Sequence, residues 1–132
     1  MDDVNFVAVA VAAVAVWIVS TAYYIGFTKQ MAALHPAYAE AAAVRPPPWR
    51  IVVELIRNLV VASVVAWLAQ RLDITEWADG VGLGLTLWVG FPVVLWTGAV
   101  MWEKVPARLA AIHAGDWLLK LVVIAVVVSV WS

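Results

Sequence analysis

Apolar residues in this chain gather into four long runs, at about 4–27, 51–72, 80–102 and 107–131, and the polar residues concentrate in the breaks between them. Each run reaches the roughly 20 residues that an α-helix needs to cross the hydrocarbon of a bilayer. The pattern predicts an all-α, polytopic membrane protein: four transmembrane helices in an antiparallel bundle, forming one domain over residues 1–132. The break between the first two runs, TKQMAALHPAYAEAAAVRPPPW, is the long one. Its Ala-rich centre predicts a short interfacial helix, stopped by Pro46, Pro47 and Pro48, whose rings cannot continue it. The breaks RLDITEWAD and EKVP are tight. The opening MDDVN carries two acids and no base, the reverse of a secretory n-region, so the first run is expected to be a retained span.

Composition strengthens the membrane reading. Only 13% of residues are charged, against roughly 25% in soluble domains, and the mean hydropathy is +0.97. A formal net charge of -1 leaves no basic surface, so the bilayer and not nucleic acid is the expected surrounding. With no cysteine, disulfides and thiolate chemistry are out of reach. His35 and His113, the two imidazoles, are too far apart in sequence to suggest a metal site, and no cofactor motif is present. Bases near span ends mark the cytoplasmic side. Lys29, Arg45 and Arg50 flank the first loop and Lys104 and Arg108 the third, with Arg71 alone at the second. This bias predicts a plasma- or inner-membrane protein with both termini away from the cytoplasm. Trp49 and Trp102 at one boundary, and Trp77 and Trp131 at the other, fit an aromatic belt.

Within the third span Gly82, Thr86 and Gly90 recur every fourth residue, a small-residue stripe that lets another helix approach closely. It is expected to be a helix contact and to support self-association or docking to another membrane protein. Ala8, Ala12 and Ala15 make a weaker stripe on the first span. Pro92 lacks the N–H that would bond the carbonyl of Trp88, so a kink is expected at Gly90-Phe91-Pro92.

The fourth span carries His113, Asp116 and Lys120 in its first half. A central Asp or Lys costs roughly 2.5–3.5 kcal/mol on the insertion scale and each Leu, Ile or Val returns about 0.3–0.6, so roughly a dozen such residues only about offset the two charges. At 100° per residue His113, Asp116, Trp117 and Lys120 share one face, which must look into the bundle. The second span repeats the pattern with Glu54, Arg57 and Asn58. Measured from Trp49 and Pro106 at about 1.5 Å per residue, Arg57 and Asp116 lie about 12 and 15 Å deep, and Glu54 and His113 about 7.5 and 10 Å. An Arg57–Asp116 rung and a Glu54–His113 rung are expected, along with an Asp116–Lys120 pair within the helix.

The leading expectation for this cluster is a non-enzymatic accessory or structural membrane subunit, with a buried polar latch between the second and fourth spans. The alternative is an oligomeric channel or transporter for an ion, a proton or a small solute, in which Glu54, Arg57, His113, Asp116 and Lys120 line a hydrated path. An enzymatic role has less support: His113 beside Asp116 suits a base, but no nucleophile, metal-ligand set or phosphate-binding loop accompanies it.

Several short motifs carry a family resemblance. Leu87, Trp88, Gly90 and Phe91 form an LW-G-F run, Trp102, Glu103 and Lys104 an aromatic-acid-base step, and Ile112 and Gly115 an I-x-x-G opening of the last span. With the aromatic-plus-glycine segment YYIGFTKQM ending the first span, the chain resembles the small four-span bacterial proteins grouped as domain of unknown function 1761. The resemblance implies the four-span architecture and no activity. The resemblance rests on the motifs above and not on His113, Asp116 and Lys120.

Overall fold

A computed structural model describes residues 4–43 and 46–131; Arg45, one of the bases used above to orient the chain, lies outside them. Among the described residues the chain is helical, with no strand. The first span is α1 (Phe6–Gly26). Asn5 caps it by accepting from the backbone N–H groups of Val7 and Ala8. The same side chain donates to the carbonyl of Trp131 at 2.9 Å, tying the start of the chain to the end of the last span. The long loop forms two short helices, α2 (Thr28–Leu34) and α3 (Pro36–Ala43). His35 separates them, and its Nδ1 accepts from the N–H of Ala37 at 3.1 Å.

The second span is α4 (Pro48–Arg71), with proline in its first turn, where the missing N–H costs nothing. It ends at a left-handed Asp73 (φ 53). Ile74 N–H then reaches the carbonyl of Ala69, and Asp73 N–H that of Gln70, closing the orphan carbonyls and reversing the chain tightly. The third span divides at Phe91 into α5 (Trp77–Gly90) and α6 (Pro92–Trp102), where the proline interrupts the hydrogen-bond ladder. The last span is α7 (Ala107–Val130). Four helical segments, with α5 and α6 counted together, are long and apolar enough to cross a membrane. The chain is a multi-pass membrane protein folded as an antiparallel helical bundle.

Helix α7 is the centre of the bundle and packs against α1, α4, α5 and α6. Its contact with α5 is close because glycines face it. A Cβ on Gly84 would stand 2.8 Å from Val122 Cα, and one on Gly80 3.0 Å from the carbonyl of Ala125. These two glycines, rather than the expected Gly82, Thr86 and Gly90, make the small-residue contact within the chain. Gly82 and Gly90 have nothing within 4 Å of a built Cβ, and Thr86 is exposed and donates to the carbonyl of Gly82. The two stripes lie on different faces of one helix, and the sequence offers both; only packing against α7 selects between them. On α1, Val9, Ala12 and Val16 are buried in one core with Ala62 and Val65 of α4 and Ile124 and Ala125 of α7. This dry core fills the half of the bundle remote from the long loop.

In the other half the helices separate. The first ten residues of α4, through Arg57, include no buried position, and burial begins at Asn58. Here α4 packs no buried side chain into the bundle, and the loop helices cover this end of α7 through Met31 and Tyr38, which pack with Leu109 and Ile112.

Candidate functional site

Most of the ionisable side chains expected inside the membrane lie in this separated half. Asp116 is 1% exposed. Its Oδ1 accepts a short hydrogen bond from the Ser20 hydroxyl on α1. Its Oδ2 accepts from Tyr24 Oη at 3.2 Å and pairs with Lys120 Nζ at 3.2 Å. A buried carboxylate is stable only when charge and lone pairs are answered in this way. Lys120, 6% exposed, lies over the Trp117 ring at 4.9 Å and reaches Glu54 at 3.5 Å. Glu54 is in turn paired with Arg57 at 2.8 Å. Two acids and two bases thus form a charge-balanced chain from α7 to α4.

His113 is held on every side. Trp96 of α6 stacks on its ring, with centroids 4.7 Å apart and planes at 11°. Its Nδ1 is 2.8 Å from Tyr24 Oη, and its Nε2 is 2.8 Å from Tyr38 Oη on α3. Desolvation raises the pKa of Tyr38 above its ordinary value, so the phenol stays protonated at neutral pH. Tyr23, next along α1, donates to the carbonyl of Ile112 at 2.8 Å and lies against Gly115, whose missing side chain makes the room. Trp88 donates to the carbonyl of Ala114 at 2.7 Å, fixing α5 to the same stretch of α7.

Ser20, Tyr24, Tyr38, Glu54, Trp96, His113, Asp116 and Lys120 line a cavity of about 720 Å³. Its wall includes the exposed Thr28 and Pro46 at the long loop and the exposed Thr21 and Arg57 within α1 and α4, so it is open at the loop end and along the side between these helices. Its floor is Trp17, Asn58, Trp117 and Lys120. One turn further, Val16, Ala62 and Ile124 are completely buried and close the bundle. Toward that far end of the bundle the cavity is blind. Asn58 is 2% exposed and its Nδ2 has no hydrogen-bond partner among the described residues. Among the described residues no group of His, Asp and Glu is placed to hold a metal ion.

A family model described as "Protein of unknown function (DUF1761)" matches residues 7–129. The chain belongs to the DUF1761 family. No curated protein and no solved structure matches it. The match extends over all four spans and every residue of the cavity in this DUF1761 member.

The rungs expected from depth are not the ones formed in this DUF1761 protein. Arg57 does not pair with Asp116; it stays 59% exposed and bonds Glu54 on its own helix. His113 does not meet Glu54 but lies between two tyrosines. Depth along the helices places these residues level, but Arg57 faces outward from the bundle and both nitrogens of His113 are taken by tyrosines. Among the described residues the polar link between α4 and α7 at this level is the 3.5 Å Lys120–Glu54 contact, and the denser connection runs from α7 to α1. Ser20, Tyr24, Tyr38 and Trp96 were missed by a reading built on charge. Ser20, Tyr24 and Thr28 do recur every fourth residue, a polar stripe at the end of an apolar span. Nothing in the sequence places Tyr38 or Trp96 beside His113.

Proposed function

We propose that this DUF1761 protein is a non-enzymatic membrane protein that admits a proton or small polar solute into a half-membrane cavity, and that passage across the bilayer requires further chains. The observation that carries this reading is the blind cavity of about 720 Å³, with its charge-balanced floor at Asp116 and Lys120. A purely structural latch has no need of a cavity, and ionisable residues lining one inside a membrane are the usual mark of a proton or solute site. The closed core of Val16, Ala62 and Ile124 is why a single chain is not a complete path. The open stripe of Gly82, Thr86 and Gly90 is available for association with a second copy or another membrane protein. Lys29, Arg50, Lys104 and Arg108 lie at the cavity end of the bundle, so the cavity opens to the cytoplasm and both termini lie outside.

Single cysteines test access and orientation together, because the chain has no cysteine of its own. In sealed membranes a charged, impermeant thiol reagent should reach Thr21→Cys and Ala107→Cys from the cytoplasmic side only, Ala78→Cys from the outer side only, and Val65→Cys from neither. Labelling of Thr21→Cys no faster than Val65→Cys would overturn the solute reading. The reverse sidedness would overturn the orientation.

A further inference from the structure

We propose that Tyr38, His113 and Tyr24 form an oriented hydrogen-bonded relay that carries one proton from the cavity rim to the buried carboxylate of Asp116. This rests on the reading of the cavity as open to water. Asp116 is 1% exposed, so a proton reaches it through protein groups. The links are 2.8 Å from Tyr38 Oη to His113 Nε2, 2.8 Å from His113 Nδ1 to Tyr24 Oη, and 3.2 Å from Tyr24 Oη to Asp116 Oδ2.

Donor and acceptor counting fixes the direction. A carboxylate only accepts, so the single proton of the Tyr24 hydroxyl points at Asp116. Tyr24 then has only lone pairs for His113, whose Nδ1 carries the ring proton; Nε2 is bare and accepts from Tyr38. All three hydrogen bonds run the same way, from rim to carboxylate. In the transfer, water gives a proton to Tyr38 Oη as the phenol proton passes to Nε2. The Nδ1 proton passes to Tyr24 Oη, and the Tyr24 proton to Oδ2 of Asp116. One proton has been taken from water, each bridging group keeps its proton count, and His113 has exchanged tautomers. Because the cavity is blind, the proton leaves by the reverse transfer, which restores the starting tautomer. Trp96, stacked on the imidazole, holds the ring in plane for both directions.

The other groups facing Asp116 define the competing route. Ser20 on α1 donates to its other oxygen, and Lys120 on α7 is paired with it, backed by Glu54 and Arg57 on α4. A proton entering through Glu54 would reach Asp116 by way of Lys120 and would not need His113.

Nitrogen-15 NMR of histidine-labelled protein in nanodiscs, with His35→Gln to remove the second signal, reads the tautomer directly. The expected result is a neutral His113 with Nδ1 protonated and Nε2 bare, and a shift of the proton toward Nε2 in Tyr24→Phe. Protonation at Nε2 in the parent would overturn the relay. This readout depends on the hydrogen bonds and not on water in the cavity, so its failure is distinguishable from failure of the solute reading.

The second measurement follows the Asp116 carboxyl band by infrared after a pH jump, assigned by its loss in Asp116→Asn. Tyr38→Phe, which removes one hydroxyl from a short rim helix, should slow its rise by about 100-fold, the lower end of what a positioned proton-transfer group contributes. An unchanged rate in Tyr38→Phe would overturn the proposal, as would a slowing confined to Glu54→Gln or the absence of any Asp116 band at acid pH.

Discussion

A carboxylate among aromatic rings is tolerated at Asp116 because it accepts from two hydroxyls and one ammonium. Removing one member of such a pair strands the other. Asp116→Leu should destabilise by about 3–5 kcal/mol, the range for an uncompensated buried charge. Asp116→Leu with Lys120→Leu should recover much of that loss, short of the whole, because Ser20 and Tyr24 still lose their acceptor. Thermal or denaturant unfolding in one detergent measures both; a double variant no more stable than the single would remove the ion pair from the account. Charge made these residues legible in the sequence, since Asp and Lys stand out in an apolar span. Their neutral partners were not legible, because a tyrosine or tryptophan in a membrane helix reads equally well as packing or as belt. Asn58 shows the same limit: its polarity is plain in the sequence, but that its Nδ2 has no partner among the described residues is a fact of packing.

At the scale of helices, hydropathy was enough to locate the spans, and the Pro92 rule was enough to divide the third at Phe91. Which face of a helix meets which neighbour is a different matter. Gly80, Gly82 and Gly84 alternate along α5, and the sequence stripe through Gly82 was as regular as the one that packs. Gly84→Ala should destabilise the fold by about 1–3 kcal/mol, the usual overpacking cost, because its Cβ meets the backbone of Val122 rather than a movable side chain. Gly82→Ala should leave unfolding unchanged. Gly90→Leu tests the outer face: it should leave the melting of the chain intact and weaken any detergent-resistant oligomer. Equal melting of the Gly84→Ala and Gly82→Ala proteins would contradict the placement of α5 against α7.

The whole molecule has a closed half and an open half. In the closed half alanines, valines and glycines let α1, α4, α5 and α7 approach; in the open half Tyr24, Tyr38, Trp96 and Trp117 stand around the cavity while hydroxyls and charges line it. The four-span bundle followed from the sequence, but the unburied first ten residues of α4 did not. How closely a helix packs is set by side-chain volumes on facing helices, which a one-dimensional depth estimate leaves out. The central claim is that the open half holds water along Thr21, Tyr24, Glu54 and Arg57, as far as the side chains that shield the Asp116 carboxylate. Solid-state NMR of the protein in lipid, following magnetisation from water protons to assigned side chains, tests it most directly. Fast build-up is expected at Thr21, Tyr24, Glu54 and Arg57, and slow build-up at Val16, Val65 and Ile124. Build-up at the first set as slow as at the second, or transfer to it from lipid acyl chains instead of water, would contradict the account.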